Sequence, residues 1–106
     1  MGAAMSDFYR FPAMAKLSEW TNEQQAEKVW DEAVEAFNAL RDGLWDYDAG
    51  KRREEMSEAD RTAYGMELMD VIHAAETALR MEFDNAEVDG LCDAVEEKNR
   101  ERGYYE

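Results

Sequence analysis

An all-α fold is what the sequence predicts, and three observations lead there. The 106 residues include one proline, Pro12, and six scattered glycines. No stretch alternates strictly between apolar and polar residues, as a half-buried strand would. Three places carry helix-start signatures with apolar residues at helical spacing behind them: Thr21-Asn22-Glu23-Gln24, Ser57-Glu58-Ala59-Asp60 and Asp84-Asn85.

Each signature defines one element. The Thr21–Gln24 capping box opens a helix expected to run to about Asp42, ending before Gly43. The Ser57 start opens a second, to about Phe83. Asp84-Asn85 caps a third, reaching about Arg102 before Gly103. A short helix is expected over Met14–Glu19. Residues 43–56 form the one long connection, charged and holding Trp45, Tyr47 and Lys51-Arg52-Arg53. Without an internal repeat or a linker, residues 1–106 read as one domain. The architecture expected is a helical bundle of two long helices and a shorter C-terminal one.

Composition narrows the function classes. Hydrophobic residues make up 45% of the chain, with 3 Trp, 5 Tyr and 4 Phe, which favours a folded core over disorder. Acids outnumber bases 26 to 12, for a net charge of −14. Such a surface repels nucleic acid and anionic lipid, so neither is an expected partner. A single cysteine, Cys92, forms no internal disulfide and no cysteine-cluster zinc site. The single histidine, His73, reads as solvated or interfacial. No apolar run approaches the ~20 residues of a membrane span. Met1–Ser6 lacks the basic start and apolar stretch of a secretory signal, so a cytoplasmic location is expected.

Helical geometry places the acids. At about 100° per residue, Val29, Ala33, Phe37 and Leu40 share one side of the first helix and form its expected core stripe, with Trp30 beside them. Glu27, Asp31, Asn38 and Asp42 fall on the watery side. Glu32 and Glu35 lie between, flanked by Ala36 and Ala39. On the second helix Leu68, Val71, Ile72, Ala75 and Leu79 form the expected core stripe, and His73, Glu76 and Arg80 the polar side. Glu67 and Asp70 again sit on the border, beside Ala63, Ala74 and Ala78. Small neighbours let the helices approach, which brings the two i, i+3 carboxylate pairs together. Converging carboxylates raise one another's pKa, and a hard divalent cation relieves the repulsion. In so acidic a chain either pair alone can arise by chance.

A resemblance joins these features. Gln25-Ala-Glu-Lys28-Val-Trp-Asp31-Glu32-Ala-Val-Glu35 resembles the first helix of the MazG-like all-α nucleoside triphosphate pyrophosphohydrolases. Glu67-Leu-Met-Asp70-Val-Ile-His73 resembles that family's second signature. The tail from Glu97 through Lys98-Asn99 and Arg102-Gly103 to Tyr105 resembles the end of many short members. The resemblance runs from Gln25 to Tyr105, in the family's order. One departure is the spacing between the acidic pairs, which is longer than usual, with the extra length in the 43–56 connection.

The resemblance implies a chemistry. It is Mg²⁺-dependent hydrolysis of a (deoxy)nucleoside triphosphate at the α-phosphorus, giving the monophosphate and pyrophosphate, in housecleaning or pool control. Mn²⁺ can substitute for Mg²⁺. Glu32, Glu35, Glu67 and Asp70 are then the metal ligands, with Glu35 and Glu67 carrying catalysis. Lys28, Lys98, Asn99 and Arg102 are the expected phosphate contacts, and Trp20 a base contact. Subunits are expected to pair into a four-helix core, a homotetramer slightly ahead of a homodimer. The alternative is a small acidic interaction protein, a DNA mimic or inhibitor without catalysis. A ferritin-like di-iron bundle is excluded by the lack of any Glu-x-x-His motif.

Overall fold

Three helices carry the chain in the computed structural model, which describes residues 7–15 and 17–105. Helix α1 spans Asn22–Gly43, α2 Glu58–Glu82 and α3 Asn85–Glu101. Met1–Ser6, on which the reading of the N-terminus rests, lies outside the described residues.

The helix starts form as their side chains dictate. Thr21 accepts from the Gln24 backbone N–H while the Gln24 side chain reaches back to the Thr21 N–H. Ser57 accepts from Asp60, and Asp84 and Glu87 form a second reciprocal box. The end of α3 is equally determined. Gly103 has φ +79°, its N–H donates to the Arg100 carbonyl, and the Tyr104 N–H donates to the Asn99 carbonyl. This is a Schellman cap, and glycine supplies the left-handed residue it requires.

Helices α1 and α2 form an antiparallel hairpin. Asn22 at the start of α1 donates to Glu82 at the end of α2. At the other end Gly43 lies so near α2 that a Cβ there would sit 3.2 Å from the Asp60 Cβ. Helix α3 packs along neither α1 nor α2.

Four expectations are corrected here. The 43–56 connection contains a two-stranded antiparallel hairpin, β1 (Trp45–Asp46) and β2 (Lys51–Arg52). Gly50 takes φ +64° in its turn, and Asp46 Oδ1 accepts from the Asp48 and Ala49 N–H groups. Two-residue strands are too short to show alternation. The described residues of 14–19 form no helix, only a turn closed by the Trp20 N–H on the Leu17 carbonyl, 2.9 Å. Six residues do not recover the cost of nucleating a helix.

The other two corrections concern helix faces. The face of α1 buried in the chain is Gln25, Glu32, Ala36 and Gly43, while Phe37 is 62% and Trp30 70% exposed. On α2 the buried residues are Ala74, Glu76 and Thr77, while Leu68 and Ile72 are exposed. The small residues let two backbones approach; of the expected stripes Val29, Leu40, Val71, Ala75 and Leu79 are half-buried, while Trp30, Phe37, Leu68 and Ile72 stay outside. Finally, Glu76 and Arg80 are not a solvated face. Glu76 is 3% exposed and accepts the Arg10 and Phe11 N–H groups, both at 2.9 Å. Arg80 donates to the Phe11 carbonyl at 2.9 Å and lies 3.9 Å from the Tyr9 ring centroid. Residues 9–11 are thus strapped across α2.

The result is thin. Buried apolar side chains among the described residues are only Ala36, Ala74 and Val88. The radius of gyration is 17.6 Å, against ~13 Å for a compact chain of this length. No helix among the described residues is long and apolar enough to cross a membrane.

Candidate metal centre

The α1–α2 interface is registered by a short polar relay. Trp20 Nε1 donates to Gln25 Oε1 at 2.8 Å, and Gln25 Nε2 donates to the Ala74 carbonyl at 2.9 Å. Gln25 is buried, so each end of its amide needs a partner, and only one helix register supplies both. Two turns further along the same face of α1 comes Glu32, 7% exposed.

Glu32, Glu35 and Glu67 converge there. Each offers a carboxylate oxygen, and the three oxygens lie within 4.8 Å of one another. Glu32 Oε1 pairs with Lys28 Nζ at 2.7 Å. Glu32 Oε2 and Glu67 Oε2 are buried and have no partner. A buried carboxylate oxygen without a partner carries a desolvation cost that a cation removes.

The electrostatics follow from that crowding. The Glu35 carboxyl is held above its ordinary range, first by the negative charge of Glu32, then by partial desolvation, by Glu67 and by a hydrogen bond with Glu32; Lys28 opposes this. The Lys28 ammonium is raised in turn, chiefly by its hydrogen bond and charge interaction with Glu32. One lysine thus neutralises part of a three-carboxylate charge. An all-oxygen donor set suits a hard divalent ion such as Mg²⁺ and not a thiophilic metal.

The other expected residues are placed unevenly. Asp70 is not one of the three; it lies one turn along α2, exposed, and lines a hollow with Glu32 and Lys28. Trp20 lines the same hollow. Lys98, Asn99 and Arg102 are at the end of α3. They do not line that hollow, and no hydrogen bond or ion pair among the described residues ties them to the three glutamates.

Sequence reasoning missed His73, Glu76 and Arg80. His73 is stacked beneath Phe11, with ring centroids 4.7 Å apart and planes at 20°, and its Nε2 is buried without a partner. Glu76 binds backbone amides, which carry no side-chain signature. The only available signal was an acid and a base four residues apart on a helix, a pattern common on solvated faces.

Family models, curated proteins and solved structures yield no match to this chain.

Proposed function

We propose that the chain is a Mg²⁺-dependent nucleoside triphosphate pyrophosphohydrolase of the MazG-like kind, acting at the α-phosphorus. The observation that carries this reading is the convergence of Glu32, Glu35 and Glu67 with two buried, unpartnered carboxylate oxygens. They are three of the four residues that the sequence resemblance assigns to the metal; Asp70 is the fourth and stands outside the cluster.

Glu32, Glu35 and Glu67 would hold the ion, with Asp70 beside them. When bound, Mg²⁺ supplies charge neutralisation for a polyphosphate and a lowered pKa for water. The chain's own residues do the rest. Glu35 is the exposed member, and its raised pKa suits it to receive a proton. Water attacks the α-phosphorus, the bond from that phosphorus to the α–β bridging oxygen breaks, and the water's proton passes to Glu35. Lys28 holds Glu32 in place through the 2.7 Å ion pair. Lys98, Asn99 and Arg102 reach phosphate only if α3 of a second subunit is brought to the site.

Assembly is the second part of the reading. Trp30, Val34 and Phe37 on α1, and Met66, Met69 and Ile72 on α2, are exposed apolar residues at helical spacing. Uncovered stripes of this kind mark protein interfaces. A second α1–α2 hairpin packed there completes a four-helix core. A homotetramer is favoured slightly over a homodimer, in a cytoplasmic setting.

The test is a screen of ribo- and deoxyribonucleoside triphosphates with Mg²⁺, detecting pyrophosphate. Release from at least one of them is expected. A well-folded protein that releases none overturns the reading.

A further inference from the structure

A second hollow opens where the end of α1 meets the β-hairpin, and none of the three glutamates lines it. Its volume is about 500 Å³, within the ~300–1,000 Å³ typical of small-molecule sites. Two faces build it. Phe37, Leu40, Arg41 and Leu44 recur at i, i+3, i+4 and i+7, so they share one side of the end of α1. On the hairpin, Trp45 and Arg52 are paired directly across the strands, and Tyr47 joins them on the hollow. Asp46 and Lys51, the next cross-strand pair, belong to the opposite face of the hairpin and do not line it.

Contacts within the chain hold these walls together. The Arg53 N–H donates to the Leu44 carbonyl at 2.7 Å and ties the hairpin back to the end of α1. The Tyr47 hydroxyl donates to Asp42 Oδ1 at 3.0 Å. The Tyr47 and Trp45 rings meet edge to face, with centroids 6.5 Å apart and planes at 78°.

The charge of the lining is opposite to that of the molecule. The chain carries 26 acids and 12 bases, yet no Asp or Glu lines the hollow, and its charged residues are Arg41 and Arg52. Arg41 lies 5.9 Å from the Phe37 ring centroid. Its ion pair among the described residues is a loose 3.7 Å contact with Asp42 Oδ1, the oxygen that already accepts the Tyr47 hydroxyl. The Arg52 side chain has no hydrogen bond or ion pair among the described residues. Two guanidinium groups with donors to spare therefore line an apolar, aromatic hollow.

We propose that this hollow binds a small organic carboxylate, its apolar body against Leu40, Leu44 and Trp45 and its carboxylate on Arg41 and Arg52. The planar guanidinium fork matches a carboxylate, and the bond is charge-assisted. A net charge of −14 opposes multiply charged anions more strongly than a single carboxylate, so phosphates are the poorer ligands here. The site is separate from the glutamate cluster and stands whether or not that cluster holds a metal. Phe37 also belongs to the uncovered stripe of α1, which makes a second copy of the chain the competing occupant.

The test is calorimetric titration of the full chain with 3-phenylpropionate and indole-3-acetate, with the neutral amide of each, and with inorganic phosphate. At least one carboxylate is expected to bind about tenfold or more tightly than its amide, through the charge-assisted hydrogen bonds that the amide lacks. Arg52→Met keeps an apolar stem and should abolish that preference. Lys51→Met makes the same charge change on the other face of the hairpin and should preserve it. If Arg52→Met does not fold, Arg41→Met serves instead, with the same loss expected. Amides or inorganic phosphate bound as tightly as the carboxylates overturn the proposal, and so does an equal loss in the Arg52 and Lys51 variants. No binding of any probe at millimolar concentration also overturns it. A wild type that binds no probe, with an Arg52→Met variant of lower mass in light scattering, assigns the hollow to a contact between copies instead.

Discussion

Replacing Glu35 by Gln should move stability in opposite directions with and without Mg²⁺. Without metal, Glu35 is repelled by Glu32 and Glu67, which raises its pKa. A carboxyl whose folded pKa lies above its unfolded value contributes stability below the unfolded pKa, and that contribution is lost as pH rises through the folded pKa. Once ionised, Glu35 is therefore a destabilising charge, and above its raised pKa Glu35→Gln should raise the metal-free melting temperature. With metal the sign reverses. An ion that binds only the folded state stabilises it by RT ln(1 + [L]/Kd), ~2.7 kcal/mol at a hundredfold excess over Kd. For a domain of this size that corresponds to roughly 10–20 °C in melting temperature. The wild type should show that rise when titrated with Mg²⁺, and Glu35→Gln only a small part of it. Lowering pH through the raised Glu35 pKa should shrink the wild-type rise, because protons compete with the ion for the carboxylate. Differential scanning fluorimetry over a Mg²⁺ and pH grid reads all three effects. Equal Mg²⁺ shifts in wild type and variant would refute the reasoning, since the ion would then be bound elsewhere on this −14 surface.

Further outcomes are expected elsewhere in the molecule. Glu76→Ala leaves two backbone N–H groups without their acceptor and should cost about 2–4 kcal/mol in denaturant unfolding. Hydrogen exchange at the Arg10 and Phe11 amides should accelerate; unchanged exchange would show that the strap is held by other contacts. Light scattering of the wild type should give a multiple of the chain mass. Phe37→Glu should shift it toward the monomer, because Phe37 lies in the uncovered α1 stripe; a monomeric wild type contradicts the assembly. Lys98→Ala and Arg102→Ala should each lower kcat/KM about tenfold to a hundredfold with little loss of stability, through lost charge-assisted hydrogen bonds. Full activity in the double variant removes the tail from the site and leaves the glutamates untouched.

How far the sequence could be read differs by level. Helix starts and ends were legible because their causes are local. A Thr, Ser or Asp three residues before a backbone N–H, or a glycine able to take φ +79° at position 103, acts on its own neighbours. The convergence of Glu32, Glu35 and Glu67 was legible because alanines beside them allow close approach. Helix faces were not legible in full. Sorting residues by angle assigns the bulkiest apolar stripe to the nearest helix, yet α1 meets α2 through Gln25, Glu32, Ala36 and Gly43 and leaves Phe37 outside. The stripe is real; the sequence does not say whether its partner lies in the same chain. The strap escaped for another reason. Its contacts run from the Glu76 and Arg80 side chains to main-chain atoms of residues 10 and 11, and main-chain partners leave no trace in residue identity.

The central claim, water attack at the α-phosphorus beside the Glu32–Glu35–Glu67 cluster, is tested most directly by isotope placement. A nucleoside triphosphate that the protein turns over is hydrolysed with Mg²⁺ in ¹⁸O-enriched water, and the products are resolved by mass spectrometry. The label should appear in the nucleoside monophosphate and not in pyrophosphate, and Glu67→Gln should lose nearly all turnover. Label in pyrophosphate, label in orthophosphate, or undiminished turnover by Glu67→Gln contradicts the account.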